Sequence, residues 1–371
     1  MSPELKHTPL RAAHLQSGAR LVEFGGWEMP VQYRGIGEEH QAVRHRVGIF
    51  DVSHMGQVAV KGPGSQDFLQ YLLPRDLAGL GLGHLCYSVM CDDRGKAVDD
   101  LLVYRPAPLE YLLVVNASRQ ETDLQWLRQH ASSFTGVEIE DRSPATGMLA
   151  LQGPQAEQVV IGLGGTQVPT LEYLQCRTSI LAGEEVLISR SGYTGEDGFE
   201  ILCSQDRLTR IWDACLDKGA LPCGLGARDV LRTEMGYCLY GHELSEERTP
   251  LEAGLAWTLS LGKPGDFVGK QALLEQQLRG GYQRLVGLKL IEQGIPRPEF
   301  TVLDYSGKAV GKVSSGTYSP VLQRGIALAF VAPHYRNPGA QLQLDLRGKA
   351  RRATVVRLPF VPSRIKGKGK P

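Results

Sequence analysis

A chain of 371 residues exceeds what one ordinary hydrophobic core supports, so two or three domains are expected. Hydrophobic residues make up 42% and charged residues 22%, and Lys+Arg 41 against Asp+Glu 40 leave a formal net charge of +1. That balance disfavours nucleic acid as the main partner, and no apolar run approaches the length of a membrane span.

The start, Met1-Ser2-Pro3-Glu4-Leu5-Lys6, reads as neither a signal peptide nor an Arg-rich transit peptide. A cytoplasmic, most simply bacterial, protein is expected, with a trimmed mitochondrial form as the alternative. Short strands are predicted over 21–24, 57–61, 85–90, 98–104 and 111–116. Ser118-Arg119-Gln120-Glu121 has the pattern of a capping box opening a helix to about His130, with Leu124 and Leu127 on its apolar stripe. Gly153-Pro154 starts another short helix, and Ser204 is placed to cap a helix carrying Leu208, Ile211, Trp212, Cys215 and Leu216 that ends at Gly219. A last helix spans 269–277 and is closed by Gly280-Gly281. From about 283 the texture changes to short strands, such as 285–290, 326–331 and 354–356, with Gly and Pro turns between them. That pattern predicts a small antiparallel barrel or sandwich and a boundary near 280–283. The tail Arg364-Ile365-Lys366-Gly367-Lys368-Gly369-Lys370 reads as a frayed basic end. Seven cysteines (Cys86, Cys91, Cys176, Cys203, Cys215, Cys223 and Cys238) lack any C-x-x-C pair, which fits a reducing compartment and argues against a metal site.

Several common chemistries have no signal. Gly79-Leu80-Gly81-Leu82-Gly83 and Gly162-Leu163-Gly164-Gly165 lack the context of a dinucleotide site, and no phosphate loop, H-E-x-x-H or G-x-S-x-G occurs. Ser53 and His54 are chain neighbours, so they diverge on a strand, and His54 reads as structural or pocket-lining. Three segments carry more. Asp99 and Asp100 interrupt the apolar run Ala97-Val98-Asp99-Asp100-Leu101-Leu102-Val103-Tyr104 and point to opposite faces of a strand. Burying a carboxylate costs several kcal/mol by order of magnitude unless it is paired, so on this stretch alone a turn cap and a solvated acid are the simpler reading. In Ser191-Gly192-Tyr193-Thr194-Gly195-Glu196-Asp197-Gly198-Phe199-Glu200-Ile201, a glycine-rich excursion precedes a strand whose Glu200 faces away from Phe199 and Ile201. A carboxylate there suits an amino-substituted heterocycle, or it is simply solvated. In Cys223-Gly224-Leu225-Gly226-Ala227-Arg228-Asp229-Val230-Leu231-Arg232-Thr233-Glu234, Arg228 is either free to bind a carboxylate or paired within its helix.

Taken together and in order, these segments resemble the glycine cleavage system T-protein (aminomethyltransferase) family. The matching stretches run nearly end to end. They are Thr8-Pro9-Leu10, Phe24-Gly25-Gly26-Trp27-Glu28-Met29-Pro30-Val31-Gln32-Tyr33, Gly48-Ile49-Phe50-Asp51-Val52-Ser53-His54-Met55, Val98-Asp99-Asp100-Leu101, Gly192-Tyr193-Thr194-Gly195-Glu196, Cys223-Gly224-Leu225-Gly226-Ala227-Arg228-Asp229, and Ser315-Gly316-Thr317-Tyr318-Ser319-Pro320. The resemblance implies an α+β fold: a three-domain cloverleaf around a central folate channel with a C-terminal antiparallel β-barrel-like domain. Residues 1–280 would form two intertwined α+β domains, roughly 1–50 plus 140–280 and 51–139, and 281–371 the barrel. It implies transfer of a one-carbon unit from the aminomethyl-dihydrolipoyl arm of the lipoylated H-protein to tetrahydrofolate as co-substrate. No metal would take part, the lipoate would be carried by the partner, and glycine decarboxylase and dihydrolipoamide dehydrogenase would be functional associates. By the same resemblance Asp100 is the catalytic acid and Glu200 holds the pterin amino edge. Arg228 lies near the glutamate tail with Tyr237 close by, and Tyr87, Tyr104, Asn116, Tyr193 and Met55 line the channel. Asp99, Arg232 and Arg364 are secondary candidates.

The chain departs from the family pattern at Arg94-Gly95-Lys96, where two glycines are common, at His242, and after Pro362. Two related families are set aside on the residues. A folate module of a demethylating flavoenzyme would bring a dinucleotide fingerprint. A non-catalytic folate-binding relative in iron–sulfur assembly would carry a Lys-Gly-Cys-Tyr type motif, where this chain has Met235-Gly236-Tyr237-Cys238. A scaffolding protein on the same fold is the remaining alternative.

Overall fold

Apolar side chains that alternate along short strands build two sheets that bury one face against each other and the other under helices. The computed structural model describes residues 4–367. Met1 to Pro3 and the tail residues Lys368, Gly369 and Lys370 lie outside the described residues. The first large sheet is six-stranded, in the order Cys176–Leu181, Glu184–Ser189, Gly198–Ser204, Thr146–Gln152, Gly48–Asp51, Leu221–Pro222. One of its faces packs Leu149, Leu151, Phe199 and Ile201 against Ile211, Trp212 and Cys215 of helix Leu208–Asp217. The second sheet is antiparallel throughout, in the order His84–Cys91, Ala97–Ala107, Glu110–Val115, Gly56–Lys61, Glu138–Asp141. Its outer face is covered by helices Ser65–Leu72 and Gln120–Ala131 through Phe68, Leu69, Leu101, Val103 and Leu127. The inner faces meet in a shared core of Phe50, Met148, Ala150 and Leu202 from one sheet and Tyr104, Leu112 and Val114 from the other. The layers run helix–sheet–sheet–helix.

A three-stranded sheet of Lys6–His7, Trp27–Gln32 and Arg20–Phe24 flanks this body. Helix Lys270–Arg279 ends at Gly280, and from Arg284 onward six antiparallel strands close into a barrel around Leu288, Leu290, Ala327, Ala329 and Leu342. The α+β fold with a C-terminal antiparallel barrel is thus as expected. Among the described residues, no helix is long and apolar enough to cross a membrane. All seven cysteines are buried and free.

Helix Leu225–Met235 joins the barrel to the rest through buried ions. Glu234 accepts from His40 Nε2 (2.9 Å), Arg44 Nη2 (2.6 Å) and Ser319 Oγ (2.5 Å), and Arg44 also donates to Glu196 (2.8 Å). Each of these charges has a partner, which is what makes their desolvation tolerable. Gly195 lets this junction close: its φ is +78°, and a Cβ there would lie 2.2 Å from Met235 Sδ.

Two local expectations are corrected. Ser118 does not cap a helix; it lies in the 3-10 turn Ala117–Arg119, and no side-chain cap forms there because Asn116 turns inward to two acids. Ser204 likewise donates to Asp206 ahead of the 3-10 turn Gln205–Arg207, which leads into the α-helix at Leu208. The strand Trp27–Gln32 escapes a pattern search because Pro30 and Glu28 break its apolar run, and its pairing with Arg20–Phe24 carries a register shift at Arg20/Leu21.

Candidate active site

Strand Ala97–Ala107 separates its two acids by the two-residue period of a pleated chain. Asp99 lies on the face of Leu101 and Val103, toward helix Gln120–Ala131, and has no exposed surface. Asp100 lies on the face of Leu102 and Tyr104, toward the other sheet, and keeps partial exposure. Asn116, the residue after strand Glu110–Val115, ties the pair together. Its Nδ2 donates to Asp99 Oδ1 (2.8 Å), Asp100 Oδ1 (2.9 Å) and the Asp100 carbonyl (3.1 Å), and its backbone N–H donates to Asp99 Oδ2 (3.0 Å). On the neighbouring strand, Tyr87 OH donates to Asp100 Oδ2 (2.8 Å). No Lys or Arg of the described residues forms an ion pair with Asp100. Burial, and after it the charge of Asp99, push the Asp100 carboxyl up to about 7, against the pull of the Tyr87 and Asn116 hydrogen bonds.

Across the inner layer, strand Gly198–Ser204 turns Phe199 and Ile201 into the core and Glu200 the other way. Ser191 Oγ donates to Glu200 Oε2 (2.5 Å); Ser191 and Ser189 hydroxyls lie 2.6 Å apart, and Tyr104 OH stands 3.2 Å from Ser189 Oγ. Burial raises the Glu200 carboxyl above the usual range, while Ser191 and the charge of Arg228 lower it. Arg228, in the first turn of helix Leu225–Met235, lays its guanidinium 4.7 Å from the Tyr193 ring centroid. Its buried Nη1 has no hydrogen-bond partner among the described residues, and burial lowers its pKa against the pull of Glu200. Tyr193 stacks on Tyr237 with ring centroids 5.7 Å apart, and its hydroxyl donates to the Cys238 carbonyl. Burial raises the Tyr193 hydroxyl well above its usual range, with the charges of Arg232, Asp100 and Arg228 all acting on it. Met55 and Leu102 pack, partly exposed, on the shared core between the two sheets.

Of the residues singled out in the sequence, Tyr87 and Asn116 hold Asp100 directly, Arg228, Tyr193 and Tyr237 stack in one row, and Tyr104 reaches Glu200 through Ser189 and Ser191, while Met55 packs on the shared core. The secondary candidates do not present free groups. Arg232 spends its guanidinium on Asp229 (2.7 Å), Glu243 (2.8 Å) and Ser315 (2.7 Å). Arg364 pairs with Glu196 (2.6 Å), and Asp99 is enclosed. His54 is buried, and burial, with a smaller push from Arg228, lowers its pKa to about 4 against the pull of the Asp51 charge, so it is neutral at physiological pH. Among the described residues, no group of three His, Cys, Asp or Glu is placed to hold a metal ion.

Sequence reading passed over four contributors. Trp257 stacks on Tyr87 at 5.7 Å and is 60% exposed, but it sits in a 3-10 turn without periodic pattern. Ser189 and Ser191 look like ordinary strand-end serines. Asp123 had a usable signal: it lies four residues before Leu127, on the buried stripe of its helix. A cleft of about 470 Å³ lined by Gln277, Tyr282, Arg284, His334 and Arg336 lies where the last helix meets the barrel; Asp100, Glu200 and Arg228 do not line it.

Comparison with known proteins covers nearly the whole chain. Residues 10–263 match the family model described as the GCVT N-terminal domain, and residues 283–362 match the glycine cleavage T-protein C-terminal barrel domain. The aminomethyltransferase of Geobacillus thermodenitrificans is 46% identical over 361 residues, covering 96% of this chain and 98% of the relative. That of Desulfitobacterium hafniense is 46% identical over 357 residues, covering 95% and 97%. The crystal structure of the glycine cleavage system aminomethyltransferase T from Bartonella henselae superposes with a TM-score of 0.92 at 35% identity, covering 98% of this chain and 99% of that one. The chain belongs to the glycine cleavage T-protein family of aminomethyltransferases.

Proposed function

We propose that this enzyme transfers the one-carbon unit of an aminomethyl group, carried as a thioether on the dihydrolipoyl arm of a lipoylated H-protein, to tetrahydrofolate. The products are methylenetetrahydrofolate, ammonia and the dihydrolipoyl H-protein. The two N–H hydrogens given up by the folate balance the hydrogens gained by ammonia and by the thiol. The observation that carries the reading is an acid with no counter-cation among the described residues: Asp100 is held by one phenol and one amide, keeps partial exposure, and pairs with no described Lys or Arg.

Such a carboxylate is matched to a cation that exists only during reaction. Breaking the carbon–nitrogen or carbon–sulfur bond of the thio-aminal develops iminium-like positive charge. Asp100 then stabilises that charge from a fixed position and accepts the proton shed by the pterin nitrogen as the new bond forms. Tyr87 and Asn116 fix both carboxylate oxygens, so little reorganisation is left for the reacting step. The remaining residues fit a folate. Glu200 offers an acceptor for the pterin amino edge, the apolar side chains of Met55 and Leu102 suit the flat ring, and the unpartnered Arg228 Nη1 suits a glutamate carboxylate. Function within a glycine cleavage assembly, beside glycine decarboxylase and dihydrolipoamide dehydrogenase in the cytoplasm, follows from the same reading. Asp100→Asn keeps tetrahydrofolate affinity but lowers turnover by about a hundredfold or more, as loss of a preorganised electrostatic group does. Turnover near wild type in that variant would sink the assignment.

A further inference from the structure

Behind Asp100, on the far face of its strand, lies an acid that the proposed chemistry does not touch. Asp123 sits in the first turn of helix Gln120–Ala131 with no exposed surface, on the buried face of that helix, and its carboxyl lies beside that of Asp99. Neither Asp123 oxygen receives an N–H or O–H from any other described residue. Two carboxyls in contact in a dry site cannot both be ionised, and one proton between them turns repulsion into a hydrogen bond. The groups facing the pair do not change that balance. Arg119 acts on Asp123 from the preceding turn, but it is committed to the Val98 carbonyl (3.0 Å) and Glu246 (2.7 Å). Tyr240 donates to the Ala97 carbonyl (3.2 Å), and Asp100 adds only further negative charge.

We propose that Asp123 is a positioning residue that stays protonated and donates to Asp99, keeping Asp99 the anionic acceptor that fixes Asn116 and, through the Asn116 amide, Asp100. This rests on the role given to Asp100 above. The allocation of the proton follows from the hydrogen bonds: Asp99 already accepts both Asn116 donors, whereas Asp123 accepts nothing else. A negative charge retained on Asp99 is also, after burial, the largest influence raising Asp100. The pair behind the strand therefore sets where the acid in front of it titrates.

Infrared difference spectroscopy of the whole protein near pH 9, where Asp100 is ionised, reads the proton directly. A carboxylic C=O stretch present in the wild type should vanish in Asp123→Asn. Kinetics reads the positioning. Asp123→Asn, whose amide N–H replaces the acid proton, keeps kcat within about twofold, whereas Asp123→Leu, which donates nothing, loses about tenfold or more. In Asp123→Leu the buried Asp99 takes up a proton itself, so the acid limb of the kcat profile moves to lower pH while the KM for tetrahydrofolate changes less than kcat. Absence of the band, its survival in Asp123→Asn, or an Asp123→Asn variant as impaired as Asp123→Leu would overturn the proposal. So would an unaltered kcat and pH profile in Asp123→Leu. If Asp123→Leu does not fold, the band and the Asp123→Asn kinetics decide. A wild type that shows the band but no folate-dependent turnover overturns the reading of the reaction, not the shared proton.

Discussion

Asp100 is expected to destabilise the fold it serves. Its carboxyl is held at about 7 when folded, against an ordinary value of 3.8. The folded chain therefore binds this proton more tightly than the unfolded chain, and stability rises as pH falls through 7 toward 4. Above both values the buried carboxylate costs at most about 4 kcal/mol, from roughly three pH units at about 1.36 kcal/mol each. Asp100→Asn removes the charge and keeps the shape. Asn116 still donates to the side-chain oxygen, and the Tyr87 hydroxyl rotates to accept from the new amide. The variant should be more stable than wild type near pH 8, by an amount up to that bound, and the gap should close near pH 4. Urea unfolding followed by circular dichroism at the two pH values measures both differences. A variant equally or less stable near pH 8, or a gap independent of pH, would refute the claim that Asp100 is strained by burial and by Asp99.

Two other substitutions separate binding from architecture. Glu200→Gln replaces an acceptor-only carboxylate with an amide that presents one acceptor, and tetrahydrofolate affinity by calorimetric titration should fall about tenfold or more; an unchanged affinity removes Glu200 from the pterin edge. Glu234→Gln leaves the buried Arg44 and His40 with a neutral neighbour. It should cost about 3 kcal/mol in unfolding free energy, the scale for breaking one side of a buried ion pair, and an unmoved urea midpoint would contradict the joint as described.

The parts of the site that lie on strands were legible because a strand's period is two. Once Ala97–Ala107 is read as a strand, Asp99 and Asp100 must separate, but both faces of that strand are apolar, and the family resemblance, not the alternation, pointed to Asp100. Glu200 follows from Phe199 and Ile201 by alternation. Arg228 was ambiguous in one dimension, because Asp229 and Glu234 lie within salt-bridge spacing; in three, Asp229 belongs to Arg232 and Glu234 to Arg44 and His40. What stayed hidden was set by long-range packing. Trp257 reaches Tyr87 across 170 positions from an irregular turn, and no local pattern encodes that contact. Ser118 had the right spacing for a cap, but the preceding Asn116 is turned inward by the two acids and draws the chain into a 3-10 turn. The barrel was legible as a class from its short strands, whereas its attachment through Glu234, Ser319 and Arg232 depends on partners more than eighty residues apart.

The most direct measurement is ammonia release from aminomethylated H-protein incubated with this enzyme, with and without tetrahydrofolate. Release that accelerates strongly with tetrahydrofolate, accompanied by equimolar methylenetetrahydrofolate, is the predicted result. Release that is the same with and without tetrahydrofolate would contradict the account.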